Sequence, residues 1–142
     1  SELPENTSAL KKMAAAYDRD IGVFSNVAVV CRPSKKEAEE YFRYYAVENA
    51  DLDAVENMIV GRGLNKPGVP EERLQAFRIR AAGGNGALPI VGDPDDVVAM
   101  MKRLSECGIS ALAIGLTNYL DHFPYFRNEV LPRLVHEGLR AE

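Results

Sequence analysis

The chain is poor in cysteine and histidine, the side chains that most often bind zinc. It has no tryptophan, two cysteines and two histidines among its 142 residues. These cysteines and histidines are too few and too widely spaced for a zinc site, so we expect no bound metal. Two unpaired thiols, Cys31 and Cys107, are typical of a reduced compartment, and we expect a cytoplasmic protein. A disulfide between them stays open as an alternative.

Long apolar runs and clusters of positive charge are also missing. The longest uninterrupted apolar run is about five residues, whereas about 20 are needed to cross a bilayer, so we expect no membrane span. The net charge is −4 and no basic cluster is longer than Lys35-Lys36, which argues against a nucleic-acid interface. The polar first residues, with Pro4, show no signal peptide. The first residue is not Met, which fits either a piece of a longer protein or a processed chain.

The apolar pattern that is present predicts an α/β fold. The β-branched run Val23–Cys31 predicts a strand, and Ala111–Leu116 predicts a second, parallel strand that is buried on both faces. Leu88–Val91 is a shorter strand candidate. Capping residues mark the starts of three predicted helices. The first runs from an N-cap at Thr7 or Ser8 to Tyr17, the second from a capping box at Ser34 and Glu37 to Asn49, and a later one from the N-cap Asp93, with Pro94, to Gly108. Further helices are predicted over Asp51–Ile59 and Glu71–Ala82, and a closing helix follows a polar loop at 117–122.

The remaining segments set the domain organisation. Residues 61–70 combine glycine and proline and predict a mobile loop. Length and apolar content fit one domain over residues 1–142. Because two or three apolar parallel strands cannot cover both of their faces, we expect the isolated chain to self-associate as a homo-oligomer.

Four motifs occur in an order and spacing that resemble a known family. They are the glycines Gly83, Gly84 and Gly86, the helix start Val91–Asp95, the turn Gly108–Ser110, and the closing segment Phe126–Leu134. Together they resemble the C-terminal part of the bacterial-luciferase-like flavin-dependent monooxygenases, in particular the alkanesulfonate, dimethyl sulfone and pyrimidine monooxygenase group. The upstream segment VAVVCRPSKKEAEEYFRYY resembles the family's penultimate strand and helix, so the resemblance covers nearly the whole chain.

The resemblance implies a fold and a function. The fold would be α/β, the C-terminal portion of a (β/α)8 TIM barrel with its last two strands, their helices and an inserted helical lid at residues 50–87. The protein would use reduced FMN, supplied by a separate flavin reductase, and O2 to oxidise a small-molecule substrate. Coenzyme F420 is the alternative cofactor of such barrels. The chain by itself would be inactive, because most flavin contacts come from strands that it lacks. A non-enzymatic α/β module that binds a partner protein stays open as the alternative.

The first candidate site residues follow the last predicted strand. Asn118 and Tyr119 place an amide and a phenol where they could reach flavin or substrate. Alternatively, Asn118 caps the next turn and Tyr119 packs on a neighbour. The neighbours Asp121 and His122 need not face each other, so we do not interpret them as an acid–base pair. No catalytic residue is assigned.

The second candidates lie in the predicted lid. Gly83 and Gly84, followed by Asn85, could bring backbone N–H groups close to a cofactor or substrate anion, although a lid hinge is an equally good interpretation. Sulfonate-oxidising relatives place an arginine directly before paired glycines. Here Ala81 and Ala82 separate Arg80 from the glycines, so Arg80 is either a substrate-binding residue of the lid or a solvated charge at a helix end.

Overall fold

A computed structural model describes residues 3–141 and has mixed α/β architecture over that range. Its elements are, in chain order, α1 (Leu3–Ala15), β1 (Phe24–Cys31), α2 (Lys35–Arg43), a π-helix (Tyr44–Glu48), α3 (Leu52–Gly61), α4 (Glu71–Gly84), β2 (Leu88–Gly92), α5 (Pro94–Glu106), β3 (Ala111–Gly115), α6 (Tyr119–Glu129) and α7 (Leu131–His136). Within the described range, every helix is too short or too polar to cross a membrane.

The three strands form one parallel sheet in the order β2-β1-β3. The central strand β1 uses Val27–Cys31 to pair with Leu88–Gly92 on one side. It uses Phe24–Ala28 to pair with Ala111–Gly115 on the other side. The two predicted parallel strands are therefore confirmed, and the short strand candidate joins the sheet as β2.

The two faces of the sheet are covered unequally. Alternate residues of a strand point to opposite faces, and Val27, Val29 and Cys31 pack in a core with side chains of α5, α6 and α7. On the opposite face the amino-terminal part of the sheet stays open. The exposed residues on that face are Phe24, Asn26, Ala113 and Gly115. The prediction that the last strand is buried on both faces is therefore wrong for the described residues.

A second, smaller core joins α3 and α4. Val55 and Ile59 of α3 pack with Ala81 of α4, and half-buried apolar side chains surround them. The predicted lid segment 50–87 thus contains two helices that pack on each other, and its function as a lid stays a prediction.

The start of the chain differs from the prediction. Helix α1 begins at Leu3, and Thr7 lies inside it, so Thr7 and Ser8 are not N-caps. Proline is tolerated in a first helical turn, and Pro4 therefore lets the helix start earlier. The buried Thr7 hydroxyl lies 3.1 Å from the Leu3 carbonyl oxygen and 2.5 Å from that of Cys107 at the end of α5. This hydroxyl attaches α1 to the rest of the fold.

Two other boundaries also moved. The helix predicted to end at Asn49 changes to a π-helix at Tyr44, and residues 119–122 of the predicted loop at 117–122 are the first turn of α6. The first turn of α5 is as predicted, with the Asp93 carboxylate accepting from the backbone N–H groups of Asp95 and Asp96 at 3.0 and 2.9 Å.

Helix α4 extends through Gly83 and Gly84, which the sequence had placed in a loop. A Cβ on Gly84 would lie 2.3 Å from the Ala28 Cβ, and a Cβ on Gly83 would lie 2.6 Å from the Phe42 ring. The end of α4 can therefore approach β1 and α2 this closely only because these two residues are glycines.

We predict that Gly84→Ala destabilises the chain by about 1–3 kcal/mol, because the added methyl overpacks the contact with Ala28. Gly61→Ala is the matched control, since a Cβ at the last residue of α3 meets no atom within 4 Å. The control should be neutral or stabilising by up to about 1 kcal/mol. Urea unfolding of both variants measures the difference, and equal midpoints would contradict the packing role of Gly84.

Candidate functional site

A cavity of about 750 Å³ lies over the open face of the sheet, within the range of roughly 300–1,000 Å³ that is usual for ligand sites. Three walls enclose it. One is formed by Ser25–Ala28 of β1, one by residues 113–117 at the carboxyl end of β3, and one by the end of α4 and the turn that follows it.

The floor of the cavity is made of small residues. Ala28 of β1 pairs with Gly115 of β3, and the neighbouring Asn26 pairs with Ala113. A Cβ on Gly115 would meet only the Val27 carbonyl oxygen, at 3.6 Å, which is ordinary van der Waals contact. Packing within the described residues therefore does not require glycine at 115. The result is a flat surface on which a planar group could lie.

Two arginines give the cavity a positive rim. The Arg80 guanidinium donates to the Gly86 carbonyl at 2.9 Å, and that of Arg62 donates to the Asn85 carbonyl at 3.2 Å. Arg62 also lies over the Phe77 ring, 5.1 Å from its centroid. Within residues 3–141 neither arginine makes a salt bridge, and the lining includes no aspartate or glutamate. The rim is therefore suited to a negatively charged group.

Four of the predicted site residues line this cavity together. They are Arg80, Gly83, Gly84 and Asn85. Asn85 ends α4 in the left-handed conformation, with φ of 55°. Gly83 and Gly84 lie in the last turn of α4, where the N–H groups bond to carbonyls of the preceding turn. The function that the structure gives these two glycines is therefore close packing, because they have no side chain. Cofactor contact by the two glycines stays a prediction.

Asn118 and Tyr119 lie outside the cavity lining, at the start of α6. The Asn118 amide oxygen accepts from the Leu120 N–H at 3.1 Å, and its amide nitrogen donates to the Asp121 carboxylate at 2.5 Å. The Tyr119 hydroxyl donates to the Ile114 carbonyl at 2.9 Å. Both polar groups have partners within the chain, as the capping and packing alternative expected, and their contact with flavin stays a prediction.

Sequence reasoning missed five polar residues of the lining, Ser25, Asn26, Tyr45, Arg62 and Thr117. Tyr45 continues the apolar stripe of α2, which favoured an interpretation as core. Thr117 directly follows the last predicted strand, but the candidates predicted there were the next two residues, Asn118 and Tyr119. Asn26 carried a usable signal, because asparagine is depleted in strands and this one interrupts an apolar run.

Next to the cavity, Arg32 and His122 form a cluster with Tyr41. Arg32 follows β1, and its Nη2 lies 2.8 Å from His122 Nε2. The Arg32 guanidinium lies 4.2 Å from the Tyr41 ring centroid, and the His122 ring packs edge-on against the same ring at 5.3 Å. Because arginine only donates, His122 Nε2 accepts in this contact, and the Asn118 N–H lies 3.4 Å from the other ring nitrogen, Nδ1.

The pKa of His122 is lowered, first by burial and then by the Arg32 charge, while Asp121 opposes the shift. The Asp121 carboxylate accepts from Asn118, and the His122 Nε2 faces Arg32. The two side chains therefore have different hydrogen-bond partners in the described chain.

We predict a pH dependence of stability from His122. A lowered folded-state pKa means that the unfolded chain binds the proton first, so the free energy of unfolding falls as pH decreases below about 6.5. His122→Gln should flatten this decline between pH 7.5 and 5.5. His136→Gln, at the exposed end of α7, removes the other histidine for comparison, and the flattening should be larger in His122→Gln. Identical slopes for parent and His122→Gln in urea titrations would contradict the cluster.

The two thiols are unpaired, as expected. Burial, followed by the nearby Asp93 charge, raises the pKa of Cys31 to about 11, so this thiol stays protonated at neutral pH. Across residues 3–141 no group of three or more histidine, cysteine, aspartate or glutamate side chains is arranged to hold a metal ion.

Parallel strands that alternate with helices, with a cavity next to the carboxyl end of β3, are features of a segment of an α/β barrel. No family model matches the sequence. The chain is 30% identical over 150 aligned residues to the sulfoquinovose monooxygenase of Novosphingobium aromaticivorans, a match that covers 95% of this chain and 41% of that protein. The chain therefore spans about two fifths of this curated relative.

Solved structures show the same fold. DmoA from Hyphomicrobium sulfonivorans matches with a TM-score of 0.74 and 19% identity, over 99% of this chain and 36% of that one. A riboflavin lyase, solved with modified FMN and riboflavin, matches with a TM-score of 0.73 and 18% identity, over 99% and 37%. These comparisons confirm the resemblance inferred from the sequence: in fold, the chain matches the C-terminal part of luciferase-like TIM barrels, over 36–37% of the two neighbouring chains.

Proposed function

We propose that this chain supplies one wall of the flavin and substrate site of a flavin-dependent monooxygenase. The observation that carries the proposal is the cavity, which combines a flat floor of small residues with two arginines and no acidic side chain. The sequence similarity to a monooxygenase and the fold of a flavin-containing neighbour support the same assignment.

The residues present fit one side of a flavin. Ala28, Ala113 and Gly115 would contact the planar ring, because none of the three has a side chain larger than a methyl group. When bound, reduced flavin and O2 would supply the oxidising chemistry, and the protein would supply shape, orientation and exclusion of water. We propose FMN, delivered in reduced form by a separate reductase. Coenzyme F420 is the alternative.

The arginines point to the charge of the substrate. Arg62 and Arg80 lack acidic partners within the described residues and donate to neighbouring carbonyls of the same turn, those of Asn85 and Gly86. A sulfonate, phosphate or carboxylate could accept from both guanidinium groups in charge-assisted hydrogen bonds. Sulfoquinovose, the substrate in the name of the bacterial relative, is a sulfonated sugar. We propose a small organic anion, most simply a sulfonate, as the substrate of the whole protein.

The test uses the full-length protein of which this chain is proposed to be the C-terminal part. With sulfoquinovose as the probe, Arg80→Ala should raise KM about tenfold or more and leave FMN affinity unchanged, because a charge-assisted contact is worth roughly 1.5–3 kcal/mol. Arg73→Ala is the control, since this exposed arginine lies on the same helix outside the cavity. An Arg80→Ala variant with unchanged KM would overturn the substrate-binding role of Arg80.

The isolated chain offers a simpler measurement. A site that lacks most of its walls cannot offset the entropy lost on binding. In fluorescence titrations at tens of micromolar, roughly the range of a partial site, we therefore expect no quenching that reports FMN binding to the chain. The chain alone should also show no monooxygenase activity. Tight FMN binding by the chain would show that most of the site lies within it and would contradict the barrel assignment.

We also propose that the isolated chain forms a homo-oligomer. The outer edge of β3 has no strand partner within residues 3–141, and Phe24 on the open face is 73% exposed. Exposed strand edges and apolar faces pair with other copies. Sedimentation at micromolar concentration should therefore detect dimers or larger species, and a well-dispersed monomer would contradict the expectation.

A further inference from the structure

Tyr45 connects the π-helix that follows α2 to the end of α4 through one hydroxyl group. Its hydroxyl donates to the Gly83 carbonyl of α4 at 3.0 Å. Both residues line the cavity. A single side-chain hydrogen bond therefore attaches the end of the predicted lid to the π-helix.

The Gly83 carbonyl needs a partner from outside its helix. The last four carbonyls of an α-helix have no intrahelical donor. In α4 the Asn85 N–H bonds to the Ala81 carbonyl and the Ala87 N–H bonds to the Gly84 carbonyl. The Tyr45 hydroxyl fills the same need at Gly83. Loss of the Tyr45 hydroxyl would leave the partly buried Gly83 carbonyl without this donor. The cost in stability rises with the burial of the carbonyl.

The backbone places Tyr45 in a rare local structure. Residues Tyr44–Glu48 form a π-helix, closed by the Asn49 N–H, which bonds to the Tyr44 carbonyl at 3.0 Å. Single π-helical turns are uncommon and frequently occur at functional sites. Here the turn follows α2 directly and presents Tyr45 toward the cavity, while Tyr44 of the same turn is exposed.

The phenol ring is held firmly on its other sides. Tyr41 and Phe42 contact it with ring centroids at 5.3 and 5.5 Å. Burial raises the pKa of Tyr45, so the phenol is protonated at neutral pH and can donate to Gly83. These ring contacts restrict the movement of Tyr45, so its hydroxyl has a defined position relative to the end of α4.

We propose that Tyr45 is a positioning residue of the cavity, which holds the end of α4, and with it Arg80, against the π-helix at Tyr44–Glu48. This inference deepens the proposed function and rests on it only where substrate binding is concerned. Arg80 lies one helical turn before Gly83 and Gly84, so the position of its guanidinium depends on how this turn is held.

The structural half of the proposal is tested on the chain itself by hydrogen exchange. Tyr45→Phe keeps the ring and removes only the hydroxyl. Its amides at residues 85–87 should exchange at least fivefold faster than those of the parent, while those of β1 stay unchanged. Tyr44→Phe removes a hydroxyl from the exposed neighbour in the same π-helix and should leave all rates unchanged. Unchanged exchange at 85–87, or equal acceleration throughout the chain, would overturn the positioning role.

The functional half is tested in the full-length protein with sulfoquinovose as the probe. Tyr45→Phe should raise KM three- to tenfold with kcat changed less than twofold, because the variant misplaces a binding group and leaves the chemistry intact. Equal loss in kcat and kcat/KM would overturn the role. If Arg80→Ala leaves KM unchanged while Tyr45→Phe still accelerates exchange at 85–87, the proposed function fails and the structural inference stands.

Discussion

The position of β1 between two parallel neighbours is the constraint on which the rest of this structure depends. Its residues Val27–Cys31 are buried, and alternate side chains face opposite layers. One layer is the core with α5, α6 and α7, and the other is formed by α2 and the end of α4. Only the amino-terminal end of the strand escapes this double coverage. The cavity occurs there because nothing else in the described chain covers that part of the sheet.

The close approach of α4 to β1 connects the fold to the site. Gly84 meets Ala28 across a gap that has no room for another methyl group. Ala28 is also part of the cavity floor, and Arg80 lies one turn before Gly84 on the rim. The same contact therefore sets the depth of the cavity and the height of its charged edge. Substitutions chosen for packing should be expected to affect binding as well.

Strongly patterned elements were predictable from the sequence, and features that depend on distant contacts were not. The strand Val23–Cys31 and the helix start at Asp93-Pro94 follow from β-branched runs and capping chemistry, which are local. The prediction that Thr7 caps α1 was wrong. The Thr7 hydroxyl instead contacts the Cys107 carbonyl, 100 residues away in the sequence, and the sequence alone does not show such a contact. The π-helix was invisible because residues 44–48 continue a normal helical pattern.

The same division holds for the candidate site. The glycines and Arg80 were found because glycine clusters and helix-end charges are visible in a sequence. Tyr45 was missed because its importance comes from meeting Gly83 in space. Asn118 and Tyr119 were chosen for their position after a strand. Position cannot show that local hydrogen bonds already occupy both side chains.

The unequal pairing of β1 has a geometric consequence for assembly. Its partners are offset, because β3 faces residues 24–28 whereas β2 faces residues 27–31. The offset of three residues corresponds to a slide of about 10 Å along the strand direction. A sheet whose strands are staggered in this way is sheared, and shear is what tilts strands and lets a sheet close into a barrel. The offset between the three strands is thus of the kind that a barrel requires.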